Sequence, residues 1–307
     1  MRILITGGAG FLGSALANAL VARDHEVLVL DDLSAGEQTR LRAGVLFHRG
    51  SIEDRPKLWT LLQGVQCVYH MAARVLVAES ILYPREYNAV NVGGTLALLE
   101  AMRDVGVPRL ILTSSGAIYG EQERQPVTET RPPNPQSPYA VSKLSAEYYA
   151  HTIGALWGIS TLALRIFNAY GPGQPLLPAH SPVVPRFLNQ ARGGGSLVIF
   201  GSGEQTRDFV YVGDVVRALI AALRAEDVDR RTINVGSGTE TSVNDLAETI
   251  LTLTDSSSNI IRSPVESGGV SRLRADISLA EQLLEYAPRV DLRDGLTRIL
   301  EKDERFA

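Results

Sequence analysis

The segment Thr6-Gly7-Gly8-Ala9-Gly10-Phe11-Leu12-Gly13 joins an apolar run, Arg2–Thr6, to a stretch of helical periodicity, Phe11–Arg23. Strand, glycine turn and helix in that order leave few folds open. Glycines let the backbone turn sharply and come close to a pyrophosphate, while the helix N-terminus offers free amides and a favourable dipole to the anion. A glycine cluster alone could be a mere tight turn. The strand before it and the helix after it favour a dinucleotide site, with Gly7, Gly10, Phe11, Leu12 and Gly13 against the ligand.

Further runs repeat the alternation. Glu26–Leu30, Val45–Arg49, Cys67–His70 and Arg109–Ser114 read as strands, and Arg55–Leu62 and Asn88–Val105 as helices. Strands alternating with helices predict a parallel sheet covered on both faces, an α/β fold with a Rossmann-type doubly wound parallel sheet. Tyr139–Leu156 predicts another helix and Thr161–Phe167 another strand. Beyond Asn168 the breaker-rich Gly171–Pro178 can continue neither. A helix near Pro185–Ala191, a strand at Leu197–Phe200 and helices at Val212–Arg224, Val243–Thr254 and Asp291–Glu301 follow. The 307 residues exceed the usual size of one core. Residues 1–170 are therefore expected to form the nucleotide-binding lobe and 171–307 mainly a smaller C-terminal α/β substrate lobe, with some later segments returning to the sheet.

Asp31 closes the second strand about twenty residues past the glycines, where a carboxylate accepts hydrogen bonds from the ribose hydroxyls of adenosine and repels a 2′-phosphate. The expected cofactor is therefore NAD rather than NADP. Its neighbour Asp32 reads better as a solvated strand-end acid. Ser51-Ile52 after the third strand and Ala72-Ala73 after the fourth are small or loop-facing residues suited to close backbone approach. Tyr139 and Lys143 stand four apart, on one face of a helix. An ammonium near the phenol favours phenolate, so Tyr139 is expected below its ordinary pKa of about 10, able to take a proton from an alcohol.

Other chemistries find little support. The net charge of −4 gives no reason to expect nucleic acid or an anionic membrane, so a phosphate-bearing ligand needs locally placed arginines. No apolar run reaches membrane-spanning length. Cys67, the only cysteine, lies in an apolar setting that favours a buried strand residue over a reactive thiol. With Met1 leading straight into a strand, a cytoplasmic location is expected. The five histidines form no metal-ligand spacing, so no metal is expected, and Gly-x-Ser-x-Gly is absent.

Taken in order, the glycine turn, Asp31, His70-Met71-Ala72-Ala73, Asn91, Thr113-Ser114-Ser115, Tyr119-Gly120, Tyr139/Lys143 and Arg165-Ile166-Phe167-Asn168-Ala169-Tyr170-Gly171-Pro172 resemble the extended short-chain dehydrogenase/reductase family. Within it the chain is most similar to nucleotide-sugar 4-epimerases of the UDP-glucose/UDP-galactose kind, from Met1 to about Leu300. The resemblance implies an NAD-dependent isomerase. Ser115 and Tyr139 would touch the reacting hydroxyl, and Lys143 would bond the nicotinamide ribose. Asp32, Ser34, Ser51, Ile52, Met71, Ala72, Ala73, Asn91 and Phe167 would complete the cofactor site. Asn168, Val183, Val198, Phe200 and Arg207 would hold the sugar nucleotide. For Arg207 the competing reading is a surface ion pair with Asp208. The segment Glu266–Arg274 departs from many relatives, so that Arg272 or Arg274 supplies a second phosphate contact. Ser51 stands where relatives often carry Asp, which puts one adenine contact in doubt.

Relatives that dehydrate the sugar place Asp-Glu just after the serine, where this chain has Gly116-Ala117. A 4-keto-sugar reductase and a UDP-glucuronate decarboxylase or epimerase remain as alternatives. The resemblance also implies a homodimer. Val90, Leu96, Ala97, Leu98 and Met102 of one helix, with Val141, Leu144, Tyr148 and Ile153 of the other, would pair two copies as a four-helix bundle, unless these stripes are ordinary core faces.

Overall fold

A computed structural model describes residues 1–177, 180–264 and 269–306. The first half is strand-helix alternation: β1 (Arg2–Thr6), α1 (Phe11–Val21), β2 (Glu26–Asp31), β3 (Val45–Arg49), α2 (Arg55–Leu61), β4 (Cys67–His70), α3 (Val77–Leu82), α4 (Pro84–Asn88), α5 (Gly94–Val105) and β5 (Arg109–Ser115). Next come α6 (Pro138–Trp157), β6 (Ser160–Ile166), β7 (Asn168–Tyr170), α7 (Val183–Arg192), β8 (Leu197–Phe200), β9 (Thr206–Arg207) and β10 (Phe209–Tyr211). The chain continues through α8 (Val212–Arg224), β11 (Arg231–Val235), β12 (Thr241–Ser242), α9 (Val243–Thr254) and β13 (Ile260–Ser263), and ends on α10 (Ser278–Leu284) and α11 (Leu292–Lys302).

Seven parallel strands in the order β11-β6-β5-β4-β1-β2-β3 form the main sheet. The order reverses between β1 and β4, and the crevice beyond their C-terminal ends is where such sheets bind ligands. Both faces are covered, which explains the unbroken apolar runs. On one face Leu16 and Leu20 of α1 pack with Leu219 of α8 and Leu284 of α10. On the other Leu58 of α2, Leu98 and Met102 of α5 and Ala146 of α6 pack on Leu28, Val68 and Leu110. A separate cluster of Phe187, Leu246, Leu296 and Phe306 forms the core of the C-terminal elements, where β13 pairs with β8. β11, the outermost strand beside β6, comes from the second half of the chain, as do α8 and α10.

Sequence and structure part at Asn88–Val105, expected as one helix. Pro84 at the first turn starts a short α4, a π-helical turn spans Ala89–Gly93, and α5 begins at Gly94. A Cβ at Gly94 would meet Ile52 at 2.5 Å, so this crossing of α5 over the sheet needs glycine. The apolar stripe of α5 also divides differently. Leu98 and Met102 are fully buried core, while Val90, Leu96 and Ala97 are half-buried. The short strands β7, β9, β10, β12 and β13, with α3 and α10, were not anticipated, because two- to seven-residue elements carry too little periodicity.

Candidate active site

The glycine turn lies at the switch point. Gly7 has φ +69, the left-handed region, and a Cβ there would sit 2.6 Å from the Ala72 amide nitrogen. A Cβ at Gly13 would lie 2.2 Å from the Gly7 carbonyl oxygen, so α1 rests directly on the turn. Gly10 differs: its φ of −74 suits any residue, and a Cβ would meet only the Gly7 oxygen, at 3.3 Å. Its open side faces the crevice. Beneath the turn, Thr6 Oγ1 accepts from the Met71 and Ala72 amides and bonds His70 Nδ1 at 2.7 Å, while His70 Nε2 bonds Thr95 Oγ1 at 2.9 Å. Burial pushes the His70 imidazole down to about 3, so it is a neutral tie between strands and α5.

Asp31 is buried at the end of β2. Its carboxylate accepts from the Ala9 and Leu33 amides, each at 2.9 Å, and burial raises its pKa against those bonds. It therefore shapes the turn, beside the role expected for it toward a ribose. Asp32 is exposed and caps the Ser34 amide at 2.8 Å, and Ser34 is exposed too. Ser51 Oγ accepts from the Glu53 amide, while the Ile52 side chain is buried in the core against Gly94, leaving only its backbone to a ligand. Asn91 is a clamp: Oδ1 accepts from the Arg74 amide, and Nδ2 donates to the Arg74 carbonyl and Ser142 Oγ. Both amide hydrogens are used within the protein, so the expected cofactor contact falls to its remaining oxygen lone pair. Arg74 itself is held by Glu79 and Glu86.

Helix α6 begins cleanly: Ser137 Oγ accepts from the Ala140 amide, Pro138 occupies the first turn, and Gly158 in the left-handed region ends it. This start places Tyr139 at the mouth of the crevice, half-buried, with Lys143 one turn deeper and 5 % exposed. Ser115, at the end of β5, stands beside the Tyr139 phenol and accepts from the Ala117 amide. The expected lowering of Tyr139 does not hold in the free protein. Burial raises its phenol, opposed by Ser115. Burial also pushes the Lys143 ammonium down to about 8, against the pull of Glu147. Loss of solvent thus moves both groups toward neutrality before any ligand is bound. Phe167 packs against Tyr119 and over Gly116.

Farther out, the Asn168 side chain has no hydrogen-bond partner among the described residues. Val198 and Phe200 lie along β8, and Val183 opens α7. Arg186, which the sequence reading passed over, stacks on Phe200 with its guanidinium carbon 5.2 Å from the ring centroid. Arg207 is not paired with Asp208. The Asp208 carboxylate is buried and takes the Ser237, Gly238 and Ala275 amides, and among the described residues Arg207 bonds only the Thr206 carbonyl. Arg272 forms a two-point ion pair with Glu240, whereas Arg274 Nε is buried without a hydrogen-bond partner. Glu266, Ser267 and Gly268 of that segment, and Pro178 of the breaker-rich loop, lie outside the described residues. Among the described residues no cluster of metal ligands occurs, and no helix is long and apolar enough to cross a membrane.

A dinucleotide fits these residues: an open glycine at a helix N-terminus, an acid at the end of β2, and a buried ammonium with no bonded acceptor among the described residues. A family model described as the NAD dependent epimerase/dehydratase family matches residues 3–236. The chain is 36 % identical over 300 residues to a putative UDP-glucose 4-epimerase of Methanocaldococcus jannaschii, covering 97 % of each. Among solved structures it resembles UDP-glucose 4-epimerase with UDP-glucose from Thermotoga maritima, with a TM-score of 0.94, 36 % identity and 98 % of each chain covered. It also resembles the UDP-glucuronic acid 4-epimerase of Bacillus cereus in complex with UDP-glucuronic acid and NAD, with a TM-score of 0.91, 32 % identity and 98 % of each chain covered.

Proposed function

The chain belongs to the NAD dependent epimerase/dehydratase family, and we propose that it inverts C4 of a UDP-hexose, interconverting UDP-glucose and UDP-galactose or a derivative through a 4-keto sugar. NAD, held by the glycine turn, Asp31 and Lys143, would supply a reversible hydride acceptor for C4. Tyr139 takes and returns the C4 hydroxyl proton, Ser115 holds that hydroxyl against the phenol, and Lys143 supplies the charge that makes phenolate attainable. Arg207 and Arg274, whose guanidinium groups have no carboxylate partner among the described residues, suit the diphosphate. Asn168, Val198 and Phe200 line the path to the uridine.

The observation that carries this reading is Tyr139 standing beside Ser115 at the end of β5, with buried Lys143 one turn along α6. Gly116 and Ala117 follow the serine, so no second acid stands there to eliminate water. The test is to incubate the protein with UDP-glucose, UDP-galactose and their N-acetyl and uronate forms without added reductant, and to separate the products. A C4 epimer supports the reading. A pentose product or a requirement for NADPH would replace it with the decarboxylase or the reductase.

Asp31 separates NAD from NADP. Asp31→Ala should weaken NAD about tenfold or more and narrow its advantage over NADP, measured as the ratio of dissociation constants. An unchanged ratio would leave Asp31 with only its structural bonds to Ala9 and Leu33.

The single buried Cys67, its thiol pushed up to about 12 by burial, suits a protein of the reducing cytoplasm. Its assembly is a homodimer through α5 and α6. On α6, Val141, Tyr148, Tyr149 and Leu156 form an outward apolar face, and Leu156 is 75 % exposed. A face of this kind on a twenty-residue helix calls for a partner, and a two-fold axis lets it pack on itself. Tyr148→Glu should give folded monomer by sedimentation. A native protein that sediments as a monomer at micromolar concentration ends the proposal.

A further inference from the structure

Lys143 is useful only while charged, yet its surroundings disfavour charge. The groups around it are few. Tyr139 precedes it by one turn. His70 on β4 is neutral, locked between two threonine hydroxyls. Asn91 and Thr95, before and within α5, carry no charge, and Thr113 and Ser115 on β5 carry none. On the α3 and α4 side, Glu79 and Glu86 are paired with Arg74. The nearest charges are Glu147, one turn beyond Lys143 on the same face of α6, and Arg165 on β6; His151, a further turn along α6, faces both, and Glu129 faces Arg165.

Glu147 and Arg165 are 1 % and 4 % exposed. They form a two-point pair, Arg165 Nη2 donating to Glu147 Oε1 at 2.5 Å and Nε to Oε2 at 3.1 Å. Arg165 is fixed in turn by the Tyr119 hydroxyl at 2.8 Å, and Tyr119 by Asn234 Oδ1 at 2.7 Å. Thr232 donates to Glu147 from β11. A guanidinium does not lose its proton in proteins, and this one grips the carboxylate at both oxygens. Buried pairs of this kind often contribute less stability than apolar residues of the same volume. A position beneath an ammonium that must stay protonated accounts for the charge.

We propose that Glu147, clamped by Arg165, is the counter-charge that keeps Lys143 protonated and so acts as a positioning residue for proton transfer at Tyr139. The proposal rests on the reading that Tyr139 and Lys143 act together in the reaction, but its first test does not. The chain has three lysines, Lys57, Lys143 and Lys302. With 13C at the lysine ε-carbons, the Lys143 resonance is identified by its loss in Lys143→Arg and titrated in the protein without ligands. In Glu147→Gln its midpoint should fall by about one unit or more. With substrate, the alkaline limb of kcat against pH should move down by the same amount, with KM little changed. Glu147→Leu combined with Arg165→Met removes both charges at similar volume and guards against misfolding of the single variant. Its Lys143 midpoint should also fall, by less, because the repelling guanidinium is gone too. An unchanged midpoint in a folded variant overturns the proposal, even if activity drops. A shifted midpoint in a protein that turns over no UDP-hexose would leave the counter-charge standing and remove the functional reading instead.

Discussion

Tyr139→Phe should lower kcat by about 10²–10⁴-fold while NAD and UDP-hexose still bind with nearly unchanged affinity. The substitution removes one oxygen from a half-buried ring and leaves the packing of α6 intact. Ser115 Oγ keeps the Ala117 amide with or without the phenol beside it. Calorimetric titration of both ligands, beside product analysis, separates the outcomes. Turnover at the native rate would take Tyr139 out of the reaction. Loss of binding together with turnover would make the residue structural. Ser115→Ala, which leaves the phenol in place but removes the bond that opposes its upward shift, should show a smaller loss of kcat in the same direction.

The residues that make such variants worth building were legible in the sequence because their roles are local. The glycines declare a backbone conformation, Asp31 marks a strand end, and Tyr139 and Lys143 share a face through helix periodicity alone. Contacts that join distant segments were not legible. Nothing near Asn91 predicts that Arg74 and Ser142 consume its amide hydrogens. Nothing near Arg272 predicts Glu240, thirty-two positions away. The electrostatics were misjudged for a related reason. Spacing put Lys143 beside Tyr139, but burial, which depends on distant strands and helices closing around them, dominates both groups. The main sheet was read correctly from periodicity, whereas β11 lies too far along the chain for its place beside β6 to be inferred from local pattern.

Alanine at two glycines of the turn should fail in two different ways. At Gly13 the new Cβ would lie 2.2 Å from the Gly7 carbonyl oxygen and 2.7 Å from Gly8 Cα. Both are backbone atoms of the turn and cannot swing aside, so α1 must lift off β1. Overpacking of this kind costs about 1–3 kcal/mol, only partly offset by the better helix propensity of alanine, about 1 kcal/mol. Because the helix N-terminus moves with it, NAD affinity should fall by about 10²-fold or more. At Gly10 the new Cβ meets only the Gly7 oxygen at 3.3 Å, and the backbone already sits where alanine is at ease. Gly10→Ala should therefore unfold within about 1 kcal/mol of the native protein in urea, yet lose NAD, since the methyl group enters the space of the pyrophosphate. Stability and affinity fall together at Gly13 and separate at Gly10. If Gly10→Ala binds NAD normally, the pyrophosphate does not lie against that glycine and the dinucleotide site has been placed in the wrong crevice.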